Sequence, residues 1–133
     1  MLRLEIVTPE RRVLDAEVDS VTVTTASGEI GILPNHAALI SALRPGVLSY
    51  TAKGNADRLA VSGGFIEVSG NKVAVLADTA EAADEIDVDA ARAAREEAEK
   101  MLAAIATPSL SESEAARDRL DAANVRLQFA ATK

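Results

Sequence analysis

The chain has 133 residues, and its 14 Lys and Arg residues against 21 Asp and Glu residues give a formal net charge of −7. This length suits one compact core, or a small domain with an appendage, and excludes a large multidomain enzyme. The absence of cysteine and the single histidine exclude disulfides, thiolate catalysis and a multi-His metal site, so we predict no metal. The negative charge and the scarcity of aromatic residues argue against a nucleic acid partner.

The amino terminus and the overall hydropathy bear on localisation. Arg3 and Glu5 interrupt the stretch that a signal peptide would need to keep apolar. No segment approaches the ~20 consecutive apolar residues that span a bilayer. We therefore expect a soluble, cytosolic chain with no direct membrane insertion.

Residues 1 to about 80 have the pattern of short β-strands. Apolar and polar residues alternate from Leu2 to Ile6 and from Val21 to Thr24, and turn residues such as Lys53-Gly54-Asn55 and Gly70-Asn71 separate the runs. Nine or ten strands at spacings of roughly eight residues predict an antiparallel β-sandwich. Functional residues should then lie mainly in its loops.

From Glu81 onward the composition changes, with no glycine and 16 alanines among the last 53 residues. Asp87 can cap a first helix, and Thr107-Pro108 can end it. Its apolar face would contain Val88, Ala91, Ala94, Ala98, Met101, Leu102 and Ile105. Ser111 and Glu114 form a capping box for a second helix, whose stripe would contain Ala116, Leu120, Ala123, Leu127 and Ala130.

These two patterns predict a segregated α+β chain, with a β-sandwich of about ten strands in residues 1–84 and an antiparallel two-helix hairpin in residues 85–133. The seam of the hairpin is mostly alanine, so it buries little apolar area per turn. We expect the hairpin to be only marginally stable and able to open.

The stretch from Gly28 to Pro45 contains the only histidine, His36, and also Glu29. His and Glu are common acid–base residues, but no neighbouring group completes a recognisable catalytic set. We favour a loop that contacts a partner, while catalysis by His36 and a purely structural role stay open. Its predicted interface residues are Gly28, Glu29, Pro34, His36 and Gly46.

The start of the first predicted helix reads Val88-Asp89-Ala90-Ala91-Arg92-Ala93. Asp89 and Arg92 are three residues apart and therefore neighbours on the helix surface. The carboxylate could accept a hydrogen bond from an exocyclic amine while Arg92 faces a phosphate. An ordinary surface ion pair is the equal alternative.

The segments 25–39, 43–48, 63–68 and 71–81 together resemble the signature of the epsilon subunit of F-type ATP synthases, and the resemblance extends over the whole chain. It implies a noncatalytic central-stalk subunit of a bacterial, proton-translocating ATP synthase at the cytoplasmic face of the plasma membrane. The implied partners are the gamma subunit, the c-ring and the catalytic alpha and beta subunits. The loop around Glu29 and His36 would meet the c-ring and gamma.

The same resemblance implies two roles for the helices. Some bacterial members bind ATP through the pattern at 88–93, which here implies a nucleotide site of Val88, Asp89, Arg92, Ala93 and Arg126. Ala122 replaces a second arginine of such members, so we expect ATP only as a weak regulatory ligand, and no other cofactor. Arg117, Arg119 and Arg126 would contact the catalytic beta subunit and restrain ATP hydrolysis, unless they form only a solvated face.

Two functions from other classes remain as alternatives. One is a free-standing β-sandwich module that binds proteins and dimerises through its helical hairpin. The other is a small hydrolase that uses His36.

Overall fold

The computed structural model describes residues 1–104 and 110–131, except for the side chains of residues 110–113. The chain divides into two compact units, Met1–Glu81 and Ala82–Lys133. The first unit contains ten strands and the second contains two long helices, which confirms the predicted segregated α+β fold. The boundary predicted from composition, between residues 84 and 85, lies just after this division and stays a prediction.

The strands of the first unit are β1 (Leu2–Val7), β2 (Arg12–Val18), β3 (Ser20–Thr25), β4 (Gly28–Ile32), β5 (Leu39–Ala42), β6 (Gly46–Ala52), β7 (Asn55–Ser62), β8 (Phe65–Ser69), β9 (Lys72–Leu76) and β10 (Thr79–Glu81). They form a first sheet with the order β2-β1-β9-β8-β5 and a second sheet with the order β10-β7-β6-β3-β4. β1 and β9 are parallel, and every other strand pair within residues 1–104 is antiparallel. The sandwich is therefore antiparallel apart from one pair.

Side chains along each strand alternate between the core and the solvent. In β1, Leu4 and Ile6 are fully buried, whereas Arg3 is exposed. Both sheets supply the other large, fully buried side chains: Leu2, Val18, Val21, Val23, Ile32, Leu48, Ile66, Val68, Val73 and Val75. Burial of each such side chain stabilises the folded state by ~1.5–3 kcal/mol, so this aliphatic core dominates the stability of the first unit.

Gly64 occupies the tight connection between β7 and β8. Its φ of +92° lies in the left-handed region, and a Cβ at this position would collide with the carbonyl of Leu76. The Gly64 carbonyl also accepts a hydrogen bond of 2.9 Å from the Leu43 N–H. This close approach places Phe65 directly opposite Leu76 on the neighbouring strand.

The second unit contains α1 (Val88–Ala104) and α2 (Leu110–Ala130), which pack against each other. Asp87 caps α1 as predicted, because its Oδ1 accepts a hydrogen bond of 3.0 Å from the Ala90 N–H. The buried residues of the two helices are mostly small: Ala91, Ala98, Ala116, Ala123, Phe129 and Ala130. The alanine-rich seam predicted from the sequence is therefore confirmed.

The prediction of the apolar face of α1 is wrong at one residue. Ala94 is exposed, because it lies about 60° around the helix from Ala91, away from the line that joins Ala91 to Ala98. Ile105 and Thr107-Pro108 lie outside the described residues, and the capping box of Ser111 and Glu114 depends on the Ser111 side chain, which is also outside them. No helix in the described ranges is long and apolar enough to cross a membrane.

Candidate functional site

Half of the predicted loop from Gly28 to Pro45 is in fact built from two edge strands. β4 is the edge of the second sheet, and β5 is the edge of the first. Residues 28–32 form a strand because their side chains alternate between the two faces of the sheet. Ile30 is half-buried and Ile32 is buried, whereas Glu29 and Gly31 are exposed. Only residues 33–38 form the connecting loop.

The two edges are tied together at one end of the sandwich. Thr25 forms an isolated bridge with Leu43, and the Ala26 N–H donates a hydrogen bond of 3.0 Å to the Ala42 carbonyl. The buried Thr25 hydroxyl donates to the Gly28 carbonyl at 2.8 Å. Because Gly28 begins β4, these bonds fix the position of the neighbouring Glu29.

Residues Leu33 to His36 form a type II turn. Pro34 occupies the second position, Asn35 has a φ of +68° at the third, and the His36 N–H donates to the Leu33 carbonyl at 3.1 Å. The Asn35 N–H donates to Asn71 Oδ1 at 2.8 Å, which links this turn to the β8–β9 turn. Pro34 therefore shapes the turn, and Asn71 is a positioning residue that the sequence analysis missed.

His36 is half-buried, with its Nδ1 only 2.8 Å from the backbone carbonyl of Ala37. This contact fixes the ring by making Nδ1 the protonated nitrogen. Since this contact leaves Nε2 free to accept a proton, it does not distinguish a contact residue from a catalytic base. Gly46 lies at the start of β6, where a Cβ would approach Thr24 Oγ1 to 2.7 Å, so its lack of a side chain has an internal cause.

The sequence analysis also missed an exposed group of large apolar side chains on the outer face of the first sheet. Ile40, Phe65 and Leu76 are 73%, 59% and 58% exposed, and we call these three residues the apolar patch. Phe65 lies opposite Leu76 on one side and opposite Ala42 on the other, and Ile40 is two residues from Ala42 on the same face. Phe65 and Leu76 are direct cross-strand neighbours, whereas Ile40 lies opposite Glu67 and diagonal to Phe65. Exposed apolar side chains grouped on one face are typical of a protein contact.

Charged residues occupy the other side of the same outer face. Arg3 donates two hydrogen bonds of 3.0 Å to Asp15, and Arg12 lies 3.6 Å from the same carboxylate. The hydrogen bond and charge of Arg3 lower the pKa of Asp15, and Asp15 in turn raises the pKa of Arg3. The outer face that contains the apolar patch therefore also contains exposed ion pairs on β1 and β2, as expected of a contact surface with a polar rim.

The predicted nucleotide residues lie on the helices. Arg92 Nη1 is 3.5 Å from Asp89 Oδ1, and both side chains are largely exposed, so the two residues form a surface ion pair in this structure. Val88 is half-buried and Ala93 is exposed. Arg126 is half-buried on α2 and has an interaction of its own. Nucleotide binding by this set stays a prediction.

The other predicted contact residues of α2 are accessible. Arg117 and Arg119 are exposed, and Arg119 Nη1 lies 3.5 Å from the sulfur of Met101 on α1. This contact lays the guanidinium of Arg119 against Met101, although the residue as a whole is exposed. Across residues 1–104 and 110–131, no three His, Asp or Glu side chains are grouped to hold a metal ion.

Comparisons with known proteins agree with this geometry. Residues 1–83 match the family model described as ATP synthase, Delta/Epsilon chain, beta-sandwich domain. An ATP synthase epsilon chain of Desulfitobacterium hafniense is 54% identical over 99 residues, which cover 74% of this chain and 75% of the relative. An ATP synthase epsilon chain of Geotalea uraniireducens is 43% identical over 130 residues, which cover 98% of this chain and 94% of the relative.

The fold is also similar to that of a solved structure. A chain in the cryo-EM structure of the Euglena gracilis mitochondrial ATP synthase, with OSCP, F1 and c-ring, superposes with a TM-score of 0.75 at 26% identity. The match covers 99% of this chain and 81% of that one. Since the family model spans the β-sandwich and the Geotalea relative spans both units, the chain belongs to the epsilon-chain family of F-type ATP synthases.

Proposed function

We propose that this chain is a noncatalytic subunit of the central stalk, where its β-sandwich joins the gamma subunit to the c-ring of an F-type ATP synthase. Family membership and the likeness to a chain of a complex that contains F1 and the c-ring support this role. The observation that carries it is the apolar patch of Ile40, Phe65 and Leu76, because a sandwich with a closed core needs no such surface for its own fold.

The two partners contact different parts of the sandwich. A permanent contact with the gamma shaft suits the apolar patch, since stable interfaces bury apolar side chains at their centre and keep charges at the rim. The edge strand β4 and the turn after it suit the c-ring, with Glu29 at the start of the strand and Pro34 and His36 beyond its other end. The turn is fixed by a backbone hydrogen bond and by the bond from the Asn35 N–H to the Asn71 side chain. Torque can pass between ring and shaft only through a body that is rigid between the two contacts.

The helices add regulation in this proposal. Arg117, Arg119 and Arg126 contact an acidic segment of the catalytic beta subunit and restrain ATP hydrolysis. ATP is a weak regulatory ligand of Asp89 and Arg92, whose surface pair must open to admit a phosphate. In this proposal the chain is a peripheral subunit at the cytoplasmic face of the plasma membrane, beside a proton-translocating ring.

Calorimetric titration of the purified chain with gamma tests the shaft contact. We expect Leu76→Ser and Phe65→Ser to weaken binding by about tenfold or more, because central apolar residues carry most of the affinity of an interface. Lys72→Ser is the matched control, since Lys72 lies on the same strand and face as Leu76 but at its charged end. Patch variants that bind gamma like the wild type, or a wild type that does not bind, would contradict the proposal.

A further inference from the structure

Met101 is one of two methionines in a chain that contains no cysteine, so these two thioethers hold its only sulfur atoms. Met1 is the first residue and is 56% exposed, whereas Met101 lies in the last turn of α1 and is half-buried. A half-buried thioether is still within reach of a small oxidant such as a peroxide. Met101 is therefore the one position in the second unit where sulfur oxidation can occur.

The sulfur of Met101 contacts the other helix. Met101 lies three residues after the buried Ala98 on α1, and it therefore borders the alanine seam. Arg119 borders the same seam, because it lies three residues after the buried Ala116 on α2. Arg119 Nη1 donates a hydrogen bond of 3.5 Å to the Met101 sulfur. A thioether is only a weak acceptor, so this bond between the helices is a weak one.

Oxidation changes the acceptor in this contact. A hydroperoxide transfers one oxygen atom to the sulfur, its O–O bond breaks, and water leaves when the oxidant is hydrogen peroxide. The sulfur loses two electrons, the peroxide gains them, and the thioether becomes a sulfoxide. The new oxygen is a polar acceptor and forms a charge-assisted hydrogen bond with a guanidinium, which is roughly twice as strong as a neutral one.

The surroundings of Met101 decide the direction of the effect. A sulfoxide inside an apolar core is destabilising, because its polar oxygen loses its hydration. Met101 is only half-buried and already has a cationic donor beside its sulfur, so the oxygen has a partner. Arg119 is exposed and can move back to make room for the added atom. The oxidised contact is therefore stronger than the reduced one.

We propose that Met101 is an oxidative modification site, and that its sulfoxide holds α1 and α2 together through Arg119. The alanine seam makes the hairpin responsive, because each buried methyl contributes little and one stronger contact is a large part of what joins the helices. Methionine sulfoxide reductases reverse the modification. The effect belongs to the free chain and goes beyond the proposed function, so its test does not depend on gamma, the c-ring or the catalytic subunits.

The test treats the purified full chain with hydrogen peroxide and then measures amide hydrogen exchange in α2. Mass spectrometry of peptides gives the extent of oxidation at Met101 and at Met1. We expect the α2 amides around Arg119 to exchange about three- to tenfold more slowly in the oxidised chain, because the hairpin opens less often. Amides of β1 and β9 should not change, and sulfoxide reductases should restore the original rates.

Matched variants assign the effect to the two residues. Met101→Leu keeps an apolar side chain of similar size and cannot form a sulfoxide, so peroxide should leave its exchange rates unchanged. This variant still contains Met1 and controls for oxidation there. Arg119→Ala should remove the slowing in the oxidised chain. Arg117→Ala should keep it, since Arg117 is an exposed arginine on the same helix.

Several results would overturn the proposal. Unchanged or faster exchange in the oxidised wild type would mean that the sulfoxide leaves the hairpin as it was or weakens it. Slowing that persists in Arg119→Ala would mean that the oxygen acts through another group, and slowing in Met101→Leu would assign the effect to Met1. If Met101 stays reduced under conditions that oxidise Met1, it is not a modification site.

Discussion

The two units of this chain are stabilised in different ways. The core of the first contains Leu4, Ile6, Ile66 and other large aliphatic side chains between two sheets, whereas the buried residues of α1 and α2 are mostly alanines. Burial of a Leu or Ile side chain contributes ~1.5–3 kcal/mol, and an alanine methyl contributes only a fraction of that. The difference suits a rigid body that transmits torque and a hairpin that can change its conformation.

The largest expected effect comes from separating the units. A chain ending at Asp84 should unfold cooperatively on heating and still bind gamma, because its core is complete within the ten strands. A peptide of residues 85–133 should have little helix in water, since its seam buries little apolar area. Circular dichroism melts of both pieces measure this. If the first piece is unfolded and the second is folded, the hairpin and not the sandwich is the independently stable unit, which would contradict the account.

Single substitutions in the two cores should differ in the same direction. Ile66→Ala should destabilise the chain by about 2–5 kcal/mol, because it leaves a cavity in a well-packed core. Ala98→Gly should cost only about 1 kcal/mol, mainly through helix propensity. Urea unfolding followed separately by strand and helix signals measures both values. Equal costs would mean that the alanine seam contributes as much as the aliphatic core.

Removal of α2, which contains Arg117, Arg119 and Arg126, should affect regulation but not rotor attachment. In the assembled ATP synthase, a chain ending at Ala104 should raise ATP hydrolysis about fivefold if the missing contact contributed ~1 kcal/mol of restraint. The control Arg117→Lys keeps the charge and should change the rate little. Unchanged hydrolysis after the truncation would show that α2 does not restrain the enzyme.

The smallest expected effect is a pH dependence within the first unit. Arg3 lowers the pKa of Asp15 in the folded state, so the pair stabilises the fold above the unfolded pKa of Asp, and this contribution is lost as the pH falls through the folded value. Arg3→Gln should therefore lower Tm slightly near pH 6 and not near pH 2. A Tm difference that persists at the lower pH would point to packing by Arg3 instead.

The sequence was sufficient for the features that depend on local periodicity. Alternation in β1 and the capping residue Asp87 are both confirmed. The sequence analysis missed β4 and β5 because their alternation of apolar and polar residues is short and lies among glycines and prolines, which are typical of loops. The apolar patch is a property of register: Phe65 and Leu76 are 11 positions apart in the sequence and become neighbours only when β8 pairs with β9.

Amide hydrogen exchange of the full chain tests the central comparison most directly. Amides at the centre of β1 and β9 should exchange only through global unfolding, and those of α1 and α2 should exchange at least about 100-fold faster through local opening, a difference of ~2.7 kcal/mol. Equal protection in strands and helices would contradict the account, because the hairpin would then unfold only together with the sandwich.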